Sequence, residues 1–97
     1  MRHRLFIDHG WVEPTGGAHF ATIDPATEEP IAEIARGGAP DIDRAVRAAD
    51  AAMKGPWSRL APAERGALLF KLADAVAANR EELARLETLD VGKPLKD

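Results

Sequence analysis

Apolar and polar positions change rhythm once along this chain, close to Gly37-Gly38. Before that point the apolar residues come in short β-favouring runs divided by turn-forming residues. Leu5-Phe6-Ile7 and Trp11-Val12 are two such runs, with Asp8-His9-Gly10 as turn chemistry between them. Pro14-Thr15-Gly16-Gly17 breaks the chain, Phe20-Ala21-Thr22-Ile23 forms a third run, and Asp24-Pro25-Ala26-Thr27 follows as a turn. Ile31 to Ala35 alternates and reads as a fourth strand, which Gly37-Gly38 ends. The pattern predicts a short antiparallel meander.

Beyond Gly38 the spacing becomes helical. Pro40 suits a first helical turn, where its missing N–H costs nothing, and Asp41 and Asp43 complement the helix dipole there. Ile42, Val46, Ala49 and Met53 recur every three or four residues and predict one buried stripe. Gly55-Pro56 stops that helix, and Trp57 is expected in the connecting loop as an anchor to the core. Pro62 and Glu64 open a second helix with Leu68, Leu69, Leu72 and Val76 on its apolar face. Asn79, a residue that tolerates left-handed backbone, is expected to end or bend it. Glu81 and Glu82 suit a new N-terminus, Leu83, Leu86 and Leu89 carry the stripe onward, and Gly92 with Pro94 is the stop. Two to three helices thus follow the strands, an α/β chain that reads as α+β when taken as an isolated piece.

Composition narrows the function classes. Of 97 residues 45% are hydrophobic, but nineteen are alanine, which buries little area. One small domain with a thin core, packing against something further, is the expectation. The net charge is −3 with acidic and basic residues interspersed, so no nucleic-acid footprint is present and no nucleic-acid partner is expected. There is no cysteine, which excludes a disulfide framework, a thiolate metal site and a cysteine nucleophile in this stretch. MRHRLFIDHG turns polar after three apolar residues and does not read as a signal peptide. No apolar run approaches the roughly 20 residues of a membrane span, so no membrane partner and a cytoplasmic location are expected.

Five stretches in order resemble the N-terminal region of the NAD(P)-dependent aldehyde dehydrogenase superfamily. They are Leu5 to Val12, Ile23 to Thr27, Asp41 to Val46, Pro56 to Arg59, and Arg80 to Pro94 with its core Leu86-Glu87-Thr88-Leu89-Asp90-Val91-Gly92-Lys93-Pro94. Asp8 and Asp24 stand where the family usually has asparagine, and Val91 where it often has asparagine or threonine. The resemblance implies that residues 1–97 are an incomplete N-terminal portion of a cofactor-binding domain. It also implies an enzyme that oxidises an aldehyde to a carboxylic acid through a thiohemiacetal on a cysteine, passing hydride to NAD or NADP. That chemistry needs a low-pKa thiol, a general base and an oxyanion site. None of the family's catalytic or cofactor-binding positions falls in this stretch, and neither glycine pair has the context of a pyrophosphate-binding turn. For this chain alone no activity and no bound NAD(P) are expected. The remainder of the enzyme chain is the implied partner, with homo-oligomers at full length.

One family site begins here. Many members hold a monovalent cation, potassium or sodium, on backbone carbonyls and one carboxylate; the matching positions are the carbonyls of Thr22 and Ile23 and the side chain of Asp90. A hard cation prefers such oxygen ligands. On the residues alone, Thr22 and Ile23 are strand positions, and Asp90 is an acceptor for a neighbouring backbone N–H. His3, His9 and His19 lie near turns or the terminus and read as surface histidines. Glu28-Glu29 and Glu81-Glu82 read as turn and helix-start residues, not as acid/base pairs. The competing function is a non-enzymatic interaction module that associates through the leucine face from Leu68 to Leu89. The alanine-rich core and the polar end of the chain favour the enzyme-segment reading.

Overall fold

The computed structural model describes residues 2–96. Its strands are β1 (Arg2–His3), β2 (Leu5–Ile7), β3 (Gly10–Val12), β4 (His19–Ile23) and β5 (Pro30–Ala35). The helices are α1 (Ala39–Met53), α2 (Pro56–Arg59), α3 (Pro62–Ala78) and α4 (Arg80–Val91). All four expected strands are present and the α/β character holds.

The strands form two sheets instead of one continuous meander. β2 and β3 make a hairpin with Leu5 opposite Val12 and Ile7 opposite Gly10. Its two-residue loop is Asp8-His9, both with positive φ, 52° and 62°. Two consecutive left-handed residues match the right-handed twist of a hairpin, and aspartate is among the residues that tolerate them. In the second sheet β5 is central, antiparallel to β4 and parallel to β1, where Arg2 pairs with Glu33 and His3 with Ile34. Nothing local marks Arg2-His3 as a strand. Its backbone is drawn in by the free edge of β5, a pairing that depends on residues some thirty positions away.

Helix starts follow the sequence signals closely. Pro40 lies in the first turn of α1 and Pro62 at the start of α3. The Glu64 carboxylate accepts the Ala61 N–H at 2.7 Å, satisfying one donor that no helical carbonyl reaches. Asn79 does separate α3 from α4, but not in the left-handed region: its φ is −107° and ψ 18°. Its side-chain Nδ2 donates to the Ala75 carbonyl at 2.8 Å, so the amide group itself closes α3. Gly92 is left-handed as expected, φ 77°, and its N–H returns to the Thr88 carbonyl at 2.9 Å.

Burial departs most from expectation. Among the described residues only Ile7, Pro14 and Ala35 are buried apolar residues. Ile42, Val46 and Met53, expected as a buried stripe, are all at least 60% exposed. The inward face of α1 is instead Asp41, Ala45 and Ala48. These small residues let the helix approach the hairpin around Ile7 and Asp8. Trp57 lies in the first turn of α2, not in a loop, and is 42% exposed. Leu68, Leu69, Leu72 and Val76 on α3 are open as well.

The shape explains the exposure. The chain measures 48 × 38 × 16 Å with a radius of gyration of 17.1 Å. A compact chain of this length has a radius near 13 Å. A 16 Å layer exceeds the thickness of a single helix, about 10–12 Å, by little. Amphipathic elements bury their apolar faces by stacking a second layer on the first. Among the described residues most apolar faces have no such layer.

Candidate functional site

Three local devices bring Thr22 and Asp90 together, with Ile23 the next residue along β4. The first is a bulge in β4–β5: Thr22 pairs with Ala32 but Ile23 with Pro30, which leaves Ile31 as the extra residue. A bulge interrupts the ladder and re-aims backbone groups. Pro30, opposite Ile23, has no N–H to donate across the strand. β4 is also the edge strand of its sheet, so alternate backbone groups on its outer side have no strand partner.

The second device is the turn after β4. The Asp24 carboxylate accepts the Ala26 N–H at 2.8 Å, and the Asp24 N–H donates to the Glu29 carbonyl at 2.9 Å. This sharp return holds Pro25 at the sheet edge. The third is the end of α4, where a Cβ built on Gly92 would stand 3.1 Å from Pro25 Cγ. The glycine therefore permits both the left-handed cap and the close seat of α4 against the turn.

With these in place the Thr22 hydroxyl donates to Asp90 Oδ1 at 2.6 Å, across 68 residues of sequence. The length is that of a charge-assisted O–H···O⁻ bond. Thr22 and Asp90 line an open groove of about 800 Å³ between the β1-β5-β4 sheet and α4, with Phe20, Ile34, Leu86 and Leu89 as its apolar walls. At the Thr22–Asp90 contact itself the groups are oxygens, a carboxylate beside a bulged strand edge, while His3 and Glu87 line the same groove. Oxygen ligands of this kind suit a hard cation. Among the described residues no group of three or more His, Cys, Asp or Glu side chains is placed to hold a metal ion.

Asp41 does more in the structure than complement the dipole of α1. It is 3% exposed, the one buried charged residue among those described. Its Oδ2 accepts the Gly38 N–H at 2.9 Å, and its Oδ1 accepts the Thr15 N–H at 3.0 Å and the Thr15 hydroxyl at 2.8 Å. The Gly38 N–H, the Thr15 backbone N–H and the Thr15 hydroxyl hold its carboxyl below the ordinary value of 3.8, with Arg44 adding a smaller pull and burial opposing them. Asp41 thus ties the Pro14–Gly17 turn to the start of α1. Its place in the first helical turn was legible, but its partner in a turn 26 residues away was not.

His19 corrects another expectation. His3 and His9 are exposed as read, but the His19 side chain is only 7% exposed. Its Nδ1 lies 3.0 Å from the Gly17 carbonyl, Arg2 Nε donates to its Nε2 at 3.2 Å, and Glu13 Oε2 is 3.6 Å from Nε2. These contacts pin β1 and the Gly16-Gly17 turn to the head of β4.

Comparison with known proteins agrees with this architecture. The model of the aldehyde dehydrogenase family matches residues 11–97. Retinaldehyde dehydrogenase 3 of Rattus norvegicus is 48% identical over 93 residues, covering 94% of this chain and 18% of that protein. The NADP/NAD-dependent aldehyde dehydrogenase PuuC of Escherichia coli is 48% identical over 97 residues, covering 99% and 20%. Among solved structures, the NAD+ complex of aldehyde dehydrogenase from Bacillus cereus superposes with a TM-score of 0.95 at 44% identity, over 99% of this chain and 20% of that one. The chain spans about a fifth of the length of the relatives it matches. Over that span the overall fold is shared, and the chain belongs to the aldehyde dehydrogenase family.

Proposed function

We propose that this chain is the N-terminal part of the cofactor-binding domain of an enzyme that oxidises an aldehyde to a carboxylic acid with NAD or NADP. Residues 1–97 supply scaffold and part of a monovalent-cation site, and the groups that carry the chemistry belong to the remaining sequence of such an enzyme. One observation carries this reading. Ile42, Val46, Met53, Leu69 and Leu72 are at least 58% exposed on a chain nearly all of which matches one fifth of a larger enzyme. Apolar faces of that size on a one-layer chain are faces that a second layer covers.

The cation would be held by the Thr22 and Ile23 carbonyls and the Asp90 carboxylate. Bound there, potassium or sodium would supply a fixed positive charge that ties the end of β4 to the end of α4. The oxygen-only chemistry of these groups and the bulge at Thr22/Ile23 support the assignment. The partners of the chain are then the rest of the enzyme and further copies in a homo-oligomer, in the cytoplasm. No described helix is long and apolar enough to cross a membrane.

The decisive experiment is the intact mass of the product in its native source, followed by an assay of NADH or NADPH formation on an aldehyde series. A product several times heavier than 10.5 kDa with aldehyde-dependent reduction of either nucleotide is the expected result. A product of 10.5 kDa that forms one discrete oligomer would overturn it and favour an association module built on the leucine face from Leu68 to Leu89 on α3 and α4.

A further inference from the structure

The Thr22 hydroxyl has a task that a strand residue does not require. Strand formation at this position asks only for a β-branched side chain, which valine meets equally well. Threonine adds an O–H, and the fold spends it on one oxygen of a carboxylate 68 residues away. Asp90 itself is exposed, and among the described residues its Oδ2 accepts no hydrogen bond. An exposed carboxylate on a helix end otherwise rotates among several rotamers, and each competes with the one that faces the strand edge. With Oδ1 held by Thr22, the range of carboxylate rotamers narrows, and Oδ2 accepts no hydrogen bond among the described residues.

We propose that Thr22 is a positioning residue for the cation site: its hydroxyl orients the Asp90 carboxylate so that one oxygen meets a monovalent cation held by the neighbouring strand carbonyls. The inference rests on the cation assignment made above and adds to it a role for a side chain whose backbone alone was assigned there. Groups that hold a metal ligand in place from outside the coordination shell typically contribute roughly 10- to 100-fold in affinity. The 2.6 Å charge-assisted bond is of the kind that does so.

The test is a potassium titration of thermal stability in the whole protein, with choline chloride holding ionic strength constant. Each variant is compared with its own potassium-free baseline, so a general loss of stability cancels. Wild type should gain stability with potassium and Asp90→Asn should not. Thr22→Val should move the potassium midpoint upward by roughly 10- to 100-fold, while Thr22→Ser restores it towards wild type. Thr22→Ala carries the same test if the valine variant does not fold. A wild-type midpoint in the valine variant, with Asp90→Asn still inert to potassium, overturns the positioning role and leaves the cation site standing. An undiminished potassium response in Asp90→Asn overturns the cation assignment and this inference with it.

Discussion

Replacing Gly92 with alanine perturbs two things that the structure separates. The first is backbone conformation: Gly92 has φ 77° and ψ 12°, where an L residue carries a cost of about 1–2 kcal/mol. The second is space, since the new Cβ would lie 3.1 Å from Pro25 Cγ, inside the 3.5–4.0 Å optimum for carbon pairs. Pro25 is a ring in a turn closed by the Asp24–Glu29 and Asp24–Ala26 bonds, so it yields only if the turn moves. We expect Gly92→Ala to destabilise the protein by on the order of 2–3 kcal/mol, read as unfolding free energy from urea denaturation. A double-mutant cycle divides the loss. Pro25→Ala removes Cγ, so the spatial part should vanish in Pro25→Ala/Gly92→Ala and the backbone part should remain. Gly92→Asn does the converse, easing the backbone cost while keeping the Cβ contact. Additive behaviour of the two alanine substitutions would refute the packing argument, and wild-type stability of Gly92→Ala would refute both parts.

Three further outcomes follow from the same geometry. Asp41 has its pKa lowered by folding, so its contribution is present in full above its ordinary value of 3.8 and is lost as pH falls through the lower folded value. The stability difference between wild type and Asp41→Asn should therefore shrink below about pH 4 and stay level from pH 5 to 7; a difference that grows on acidification would reverse the sign. His9→Gly should stabilise the hairpin by about 0.5–1 kcal/mol, because the residue has φ 62° in a two-residue loop, and an unchanged or lower melting temperature would contradict that. Expressed alone, the 97-residue chain should bind a hydrophobic dye, unfold over a broad range by circular dichroism and show no heat on titration with NAD+ or NADP+; a sharp cooperative transition or a saturable titration would count against this account.

Much of the local structure was legible because local chemistry decides it. Pro40, Pro62, Glu64 and Gly92 stand at the helix ends where sequence rules put them, since each acts through backbone groups within four residues. The Asp8-His9 loop and the Asp24–Thr27 turn are equally short-range. Family membership was also legible, because five ordered stretches carry it along nearly the whole chain.

Longer-range features were hidden. The apolar spacing of Ile42, Val46 and Met53 reports that this face of α1 is made for burial, but periodicity cannot say what buries it, and nothing among the described residues does. The same helix turns Asp41, Ala45 and Ala48 inward, because a buried carboxylate with three donors outweighs a stripe that has no neighbour. His19 left the surface because Arg2, Glu13 and Gly17 close around it. β1 joined its sheet in parallel for a similar reason. Sequence alone thus determined where elements begin and end, since those choices are made by neighbours along the chain. Only the tertiary structure decided which side of each element is covered and that the Thr22 hydroxyl, not just its carbonyl, would face Asp90, because both depend on groups that approach from elsewhere in space.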